Sequence, residues 1–367
     1  MSTPLTHTIE FRGNGWEYSK IYFVNLALTI LTLGIYSAWA KVRNKRYFYG
    51  NTLLDGSSFD YHASPIQILK GRLLVIAVFV LYNVIVGYAP MLSLIFMIVF
   101  LIAVPWLIMK ATQFNMRNSS YRQIRFDFLG EMGELFIVYV LLPILSMFTL
   151  WLAYPYAAFK QKHYIVNNTR FGQSKFDFDG TSKAFFSAYF TAFMGVFLFF
   201  VFLAVMFGPQ FQSFMQGFQE SMAQQQVHQL VQTAAPQEEP DAAQLAMGFV
   251  IMMTVYAGML FFIMVVMTYI NTRITNYIFN NLKLGDVRFE ADIRYWKLMG
   301  IYLTNTLFII LTMGIFIPWA KVRAVKYKLS RINVTAESLE NHMAAETANT
   351  KAIGEEMSDF MDIDVGF

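Results

Sequence analysis

The 367-residue sequence contains no cysteine, and only 14% of its residues are charged. The lack of cysteine excludes disulfide bonds, thiolate nucleophiles and cysteine metal sites. A soluble domain normally carries about 25% charged residues. The shortfall comes from four segments without Asp, Glu, Lys or Arg, namely 73–105, 136–151, 185–209 and 248–271. Apolar runs of about 18 residues or more are typical of membrane spans, so the sequence predicts an integral membrane protein.

The sequence also lacks the signatures of common catalytic sites. It has no Gly-rich phosphate loop, no Gly-x-Ser-x-Gly elbow and no His-Glu-x-x-His motif, and its five His are scattered. Asp60, Asp127 and Asp177 recur at matched positions, but an alternating strand turns such residues outward. We therefore predict no enzymatic activity, no cofactor and no metal site. A membrane lipid enzyme is the weaker alternative, and it would require these carboxylates to converge on an ion.

Five segments share one spaced pattern, in which an aromatic residue, a base, an aromatic residue and Asn follow at intervals of four, with Phe eight residues later. The copies are Trp39-Arg43-Tyr47-Asn51-Phe59, Trp106-Lys110-Phe114-Asn118-Phe126, Tyr156-Lys160-Tyr164-Asn168-Phe176, Tyr269-Arg273-Tyr277-Asn281-Phe289 and the degenerate Trp319-Arg323-Tyr327-Arg331-Leu339. Steps of four form one stripe along a helix. An aromatic residue is favoured at the lipid headgroups, and Asn favours the end of a helix.

A hairpin signal follows each of the first four Asn residues. The predicted turns are Asp55-Gly56, Arg122-Gln123, Gly172-Gln173 and Gly285-Asp286, of which three are good two-residue hairpin turns. Residues 8–11 could add one strand. Single hairpins are marginal in water, so we expect them to assemble into a small β-hairpin layer at one membrane face.

The predicted fold is an all-α polytopic membrane protein built from five internal repeats, each with a membrane helix, a juxtamembrane amphipathic helix and a short hairpin. The boundaries are 1–64 for repeat 1 with its N-terminal strand, 65–130 for repeat 2, 131–181 for repeat 3, 182–294 for repeat 4 and 295–340 for repeat 5, followed by an acidic tail at 341–367. Repeats 2 and 4 are long enough for two spans each. Repeats 1, 3 and 5 are short.

Charge predicts the sidedness of these segments. The repeat tails are basic, which is typical of the cytoplasmic side, whereas the Gln-rich connector 208–247 has no Lys or Arg and is predicted to be periplasmic. All five tails can lie on the same side of the membrane only if the short repeats do not cross the membrane. We therefore favour four full spans with three re-entrant helical hairpins, and seven simple spans remain the alternative. The C-terminal tail is then cytoplasmic.

Two sets of residues are candidate functional positions. Asn25, Thr32, Asn305 and Thr312 occupy matched positions in the first and last repeats, where they could line a polar path or fix packing between repeats. The candidate lipid-headgroup contacts are Trp39, Arg43, Trp106, Lys110, Lys160, Arg273, Trp319 and Arg323. The expected partners are membrane lipids and a soluble cytoplasmic protein, and nucleic acid is not expected.

The chain resembles the YjgN family of bacterial inner-membrane proteins in three places. These are the run 29–43, a similar run at 311–323 and the ending 354–367. The resemblance covers nearly the whole chain and implies a location in the bacterial inner (cytoplasmic) membrane. That family is described as a domain of unknown function, so the resemblance supplies no catalytic residues. The fifth copy departs from the pattern at Arg331 and Leu339.

These features favour a channel, transporter or lipid-handling protein of unknown substrate, without an ATP or proton-coupling motif of its own. The alternative is a non-transporting scaffold or assembly factor that binds a soluble partner at the hairpin layer. A polar cavity past Asn25 and Asn305 would favour transport. A dry centre filled with Phe and Leu would favour the scaffold.

Overall fold

The computed structural model describes residues 5–231 and 242–336. It forms two compact units. One is Ser187–Asn271, and the other contains the described residues on either side of it. The predicted acidic tail and Leu339 lie outside the described residues.

The helices occur in chain order as α1 (Gly15–Leu31), α2 (Ser37–Gly50), α3 (Pro65–Tyr88), α4 (Ser93–Arg117), α5 (Met132–Phe136), α6 (Leu142–Phe148), α7 (Tyr154–Asn167), α8 (Ser182–Val231), α9 (Ala242–Asn280), α10 (Tyr295–Leu311) and α11 (Ile317–Leu329). A short 3₁₀ turn, Pro90–Leu92, precedes α4, and a π-helical turn, Ile137–Leu141, joins α5 to α6. Most of the predicted connector 208–247 is therefore helical, since α8 continues to Val231 and α9 begins at Ala242.

The strands are β1 (Leu5–Thr8), β2 (Glu10–Phe11), β3 (Thr52–Leu54), β4 (Ser57–Tyr61), β5 (Ser119–Tyr121), β6 (Ile124–Phe128), β7 (Thr169–Phe171), β8 (Ser174–Phe178), β9 (Leu282–Leu284), β10 (Val287–Ala291) and β11 (Ile332–Ala336). They form one 11-stranded antiparallel sheet in the order β1-β11-β10-β9-β8-β7-β6-β5-β4-β3-β2. Its two ends, β1 and β2, are consecutive segments of the N-terminus separated only by Ile9. The sheet is therefore a nearly closed barrel.

The prediction of an all-α fold is wrong. The four hairpins are present, but they do not form a loose layer, because each one pairs along its free edge with the next. An unpaired strand edge leaves backbone donors and acceptors unsatisfied, and closure of the sheet removes nearly all such edges. Within the described residues the fifth segment contributes the single strand β11, which pairs with the N-terminal strand β1 in place of a hairpin partner.

The predicted turns match the observed backbone. Asp55 and Gly56 both have positive φ, as do Arg122 and Gln123, whereas Gly172 and Gly285 have positive φ at the first turn position. A two-residue turn with positive φ matches the twist of its strands. The turns fix the register, so that the repeated Phe of each hairpin faces the barrel interior.

The barrel interior is an apolar core. Leu54, Tyr121, Ile124, Phe171, Leu284, Val287, Val334 and Ala336 form one buried cluster, and Ile9, Phe59, Phe126, Phe176 and Phe289 pack against it. Ring contacts with centroid separations of 4.8–6.4 Å link Phe59, Tyr121, Phe171, Phe126, Phe176 and Phe289 in sequence. The repeated Phe is therefore a core residue of the barrel.

Three helix pairs reverse direction within a few residues. Leu33 and Gly34 between α1 and α2, and Met313 and Gly314 between α10 and α11, have positive φ. Between α6 and α7 the reversal uses Leu150 and Trp151, which also have positive φ.

Among the described residues, four stretches are long and apolar enough to cross a membrane, namely Pro65–Tyr88, Pro90–Arg117, Ser182–Pro209 and Gly248–Asn280. The two in the first unit, α3 and α4, start and finish at neighbouring hairpins of the barrel. In the second unit, α8 and α9 pack through Phe199 and Phe262, whose rings are parallel with centroids 4.1 Å apart. Met132–Phe148 and Tyr295–Leu311 are shorter apolar stretches.

Candidate functional site

The Asn at the end of each amphipathic helix joins neighbouring segments. In the first four segments its side-chain amide donates to the carbonyl four residues earlier at 2.8–2.9 Å. The backbone carbonyl of the same Asn accepts a hydrogen bond from a backbone N–H that lies just after the last strand of the preceding segment. These bonds run from Arg12 to Asn51, from His62 to Asn118, from Leu129 to Asn168 and from Asp179 to Asn281, at 2.8–3.1 Å. Arg331 makes the same carbonyl contact with Asp292 at 3.0 Å. The joining contact is made by backbone atoms, which explains why a different side chain is tolerated there.

Where the second aromatic residue of the stripe is Tyr, its hydroxyl bonds the start of its own segment. The Tyr47 hydroxyl accepts from the Asn14 N–H and donates to its carbonyl, both at 2.9 Å. Tyr164 donates to the Glu131 carbonyl at 2.7 Å. Tyr327 accepts from the Arg294 N–H at 3.0 Å. These tyrosines are structural contacts that the sequence pattern alone presented as part of a membrane anchor.

Asn25 and Asn305, the predicted polar pair, are both buried. Each bonds within its own helical hairpin. Asn25 Nδ2 donates to Asn44 Oδ1 at 3.1 Å. Asn305 Nδ2 donates to the Ala320 carbonyl at 3.1 Å, and its Oδ1 accepts from Arg323 Nη1 at 2.8 Å. Among the described residues, Asn25 Oδ1 has no hydrogen-bond partner.

Thr32 and Thr312 occupy the helix reversals. The Thr32 hydroxyl donates to the Leu28 carbonyl at 2.7 Å and accepts from the Tyr36 N–H at 2.9 Å. Thr312 makes the same pair of contacts, with Phe308 and Phe316. Both threonines therefore satisfy backbone groups that the reversal leaves free.

The first and last helical hairpins are in direct contact, since α1 packs on α11. Trp319 lies against Trp16, with ring centroids 6.1 Å apart. A Cβ at Gly15 would lie 2.3 Å from Trp319 Cδ1, so only glycine allows this approach. Lys321 Nζ lies 5.6 Å from the ring centroid of Tyr22.

The predicted headgroup residues fall into two groups. Arg43, Arg273 and Arg323 are exposed, whereas Trp39, Trp106, Lys110, Lys160 and Trp319 are half-buried. The rings of Trp39 and Tyr36 stack with their centroids 6.1 Å apart. Lys160 Nζ lies 5.8 Å from the ring centroid of Tyr156. Arg323 contacts a residue of the other candidate set, Asn305.

Lys45 is a further cation, held between the first two segments. Its Nζ donates to Asn115 Oδ1 at 2.5 Å and lies 4.6 Å from the ring centroid of Tyr61. Burial, and secondarily the charge of Lys41, lower the pKa of Lys45. Lys45 therefore joins α2 to α4.

The three recurring aspartates are spread around the outside of the barrel. By strand register, Asp60 lies opposite Ser120, Asp127 opposite Arg170 and Asp177 opposite Lys283. Asp127 also accepts from Arg117 Nε at 2.9 Å. In the part of the chain that the structure describes, no three His, Asp or Glu residues are grouped closely enough to hold a metal ion.

Polar contacts join β1 to two hairpin turns at the rim of the barrel. Asp55 Oδ1 lies 3.2 Å from His7 Nδ1, and Asp55 Oδ2 lies 2.8 Å from Arg122 Nη2. Arg122 Nε also donates to Ser57 at 3.0 Å. The sequence pattern marked Asp55 and Arg122 only as turn residues and did not predict their ion pair.

A basic pocket of about 640 Å³ lies at the start of α10. Its lining residues are Arg294, Tyr295, Trp296, Lys297 and Arg331. The sequence analysis did not select this pocket. The available signals were the Arg at the position of the repeated Asn, and a Trp-Lys pair at the first turn of an apolar helix.

Comparison with known proteins places these features in a family. A family of bacterial proteins of unknown function, DUF898, matches residues 6–360. The chain belongs to this family. It is also similar to the inner membrane protein YjgN of Salmonella typhimurium (strain LT2), with 30% identity over 140 residues, or 38% of this chain and 35% of that protein.

The inner membrane protein YjgN of Escherichia coli (strain K12) is 30% identical over 146 residues, which cover 40% of this chain and 36% of that protein. The chain thus matches about a third of the length of these curated relatives. No solved structure matches the chain. The resemblance to the YjgN family seen in the sequence is confirmed, and the chain is a membrane protein of an uncharacterised family with inner-membrane relatives.

Proposed function

We propose that this protein is a non-conducting scaffold of the bacterial inner membrane, which presents a rigid β-barrel to a soluble partner. The observation that carries the proposal is the aromatic filling of the barrel. Phe59, Phe126, Phe176 and Phe289 come from four different hairpins and pack on one core. An apolar, close-packed interior opposes the passage of ions, because a solute would lose its hydration without finding polar partners.

The connectivity supports placing the barrel on one side of the bilayer. All five amphipathic helices lead directly into strands of a single sheet. The basic residues of these helices favour the cytoplasmic side. On this proposal each successive pair of membrane helices begins and ends at the cytoplasmic face.

The helix reversals support re-entrant insertion of the three short helical hairpins. Leu33 at the first reversal is 95% exposed, Leu150 at the second is 84% exposed, and Met313 at the third is 96% exposed. Apolar tips of this kind are favourable in hydrocarbon and unfavourable in water. A 17-residue helix such as α1 is about 26 Å long, which is short of a hydrocarbon core of about 30 Å.

Proteoliposome flux tests the non-conducting proposal. We expect the wild-type protein to leave trapped dye and ion gradients intact. The variant Phe176→Ala/Phe289→Ala, which removes two interior rings, is the comparison. Efflux through the wild-type protein that increases in this variant would show that the barrel conducts, and the scaffold proposal would be wrong.

Site-specific photo-cross-linking in cells tests the docking surface. Lys175 and Arg288 are exposed on the outer face of the barrel, and Phe176 is the adjacent inward-facing control. We expect protein adducts from the two outer positions and none from Phe176. Equal labelling of all three positions, or no adduct at either outer position, would contradict a partner at this surface.

The second candidate function is transport or lipid handling along the helical hairpins rather than through the barrel. The buried Asn25 Oδ1, which has no hydrogen-bond partner among the described residues, favours it, because an unpaired buried polar atom is costly and commonly serves a function. In the flux assay, this function predicts efflux that Asn25→Leu abolishes and Phe176→Ala does not change.

A further inference from the structure

We propose that the pocket at the start of α10 binds the phosphate-bearing headgroup of an anionic membrane lipid. The inference goes beyond the scaffold function and does not depend on it, because the pocket lies at the entry to an apolar helix rather than inside the barrel. Three cationic side chains, Arg294, Lys297 and Arg331, line its volume of about 640 Å³.

The local charge favours an anion. Among the described residues, Arg294 forms an ion pair with Asp292 at 3.5 Å, and both side chains are largely exposed. No ion pair within the described parts of the chain involves Lys297 or Arg331. The Arg331 guanidinium lies 5.8 Å from the ring centroid of Tyr327. The pocket thus keeps a net positive charge, with two arginines able to contact phosphate through paired donors.

The backbone adds to this charge. Arg294 is the N-cap residue of α10 and makes no side-chain cap hydrogen bond. The first-turn N–H groups of a helix and its dipole attract anions. The cationic residues of the pocket and the first-turn N–H groups of α10 therefore both attract an anion.

The matched helix α1 provides an internal comparison. With Asn25 aligned to Asn305, Trp16 corresponds to Trp296 and Glu17 to Lys297. At α1 the Asn14 side chain accepts from the Glu17 N–H at 2.8 Å, so that helix start is capped and carries an acid. The start of α10 lacks the side-chain cap and carries a base instead.

The aromatic residues support a lipid rather than a soluble phosphate as the source. Trp296 is 80% exposed, and its ring is in contact with that of Tyr295, with centroids 4.8 Å apart. Tryptophan is favoured at the headgroup level of a bilayer. The apolar helix α10 continues from this ring toward its exposed tip at Met313, so acyl chains could lie alongside it while the headgroup occupies the pocket.

Native mass spectrometry of the full chain, released from phosphatidylcholine nanodiscs with a minor share of phosphatidylglycerol, tests the site. The pocket variant is Arg294→Gln/Lys297→Gln/Arg331→Gln. The control is Arg125→Gln/Lys175→Gln/Arg288→Gln, which removes the same charge from exposed positions on the outer barrel face. Unfolding temperatures are compared first, and Arg331→Asn, which restores the residue of the other segments, serves as a milder variant if the triple variant is unstable.

We expect the wild-type and control proteins to retain phosphatidylglycerol equally. The pocket variant should bind it roughly a hundredfold more weakly, since each base near a membrane surface contributes about 1 kcal/mol. Arg331→Asn should bind roughly fivefold more weakly by the same measure. Equal retention by the pocket variant, or equal loss in the control, would overturn the proposal.

Inorganic phosphate and glycerol phosphate distinguish the source of the ligand. Titration of either compound should not displace phosphatidylglycerol from the wild-type protein. Displacement by either soluble compound, with no dependence on the acyl chains, would overturn the assignment to a lipid.

Discussion

Tyr61 and Tyr164 are buried tyrosines that differ in what their hydroxyl groups contact. The Tyr164 hydroxyl donates to the Glu131 carbonyl at 2.7 Å. The Tyr61 hydroxyl is buried, and within the described ranges it has no hydrogen-bond partner. Loss of one intramolecular hydrogen bond costs about 0.5–1.5 kcal/mol, whereas an unpaired buried polar group costs about 1–3 kcal/mol. Substitution of each residue by Phe should therefore change stability in opposite directions.

Tyr164→Phe should lower the free energy of unfolding by about 1 kcal/mol. Tyr61→Phe should leave it unchanged or raise it by up to about 1 kcal/mol. Thermal and denaturant unfolding of the purified protein in one detergent, followed by intrinsic fluorescence, measures both variants beside the wild type. A loss of stability in Tyr61→Phe as large as in Tyr164→Phe would refute the reasoning, because it would mean that the Tyr61 hydroxyl is paired.

The same two residues predict an alkaline effect. Burial is the main reason why the pKa of Tyr61 rises from 10.0 to about 12. It is also the main reason why the pKa of Tyr164 rises from 10.0 to about 12. A raised folded-state pKa contributes stability that is present below the unfolded pKa and is lost as pH rises through the folded one. We expect the wild-type protein to lose stability between pH 10 and 12, and each Phe variant to lose less. Parallel pH profiles for all three proteins would contradict this.

Three further outcomes follow from the fold. Phe126→Ala should cost about 3–5 kcal/mol of barrel stability, while Asp127→Ala on the same strand should cost under about 1 kcal/mol; equal effects in unfolding assays would place Phe126 outside the core. Single cysteines at Ser174 and Lys283 should react with an impermeant thiol reagent from the same side of the membrane, because β8 pairs with β9. Labelling of the two positions from opposite sides would contradict that pairing. A Trp at Leu33 should be quenched by brominated lipids, and exposure to an aqueous quencher instead would contradict insertion of the first tip.

Hairpins and helix ends were predictable because they depend on local chemistry. Asp55-Gly56 and Gly172-Gln173 specify tight turns within a few residues. Asn51 and Asn168 end their helices with a side-chain contact four residues back. The four long apolar stretches are evident from composition alone.

Assembly of the hairpins was not predictable from the same signals. Each hairpin has only three to five residues per strand, so its pattern resembles that of an isolated turn. The pairing of β1 with β11 joins residues more than 320 positions apart. No local periodicity records such a contact, since it is selected by the cost of open edges and by the shared Phe core.

The candidate residues also divide into roles set by local sequence and roles that only the folded chain shows. Thr32 and Thr312 were selected as polar groups that could line a path or fix packing between repeats, and in the folded chain each bonds backbone groups at a helix reversal. Arg331 was treated as a degenerate copy of Asn. In the folded chain it lines a basic pocket with residues from the start of α10.

The sequence by itself determined that this is a membrane protein with a recurring spaced pattern, apolar helices, basic amphipathic extensions and tight hairpins. Those properties are local, because hydropathy, charge and turn chemistry act over a few residues. The tertiary structure decided that the hairpins form one nearly closed barrel, that the repeated Phe packs on its core, and that Arg331 lines one pocket with Arg294 and Lys297. These outcomes depend on edges and side chains that are far apart in sequence and adjacent only in the folded chain.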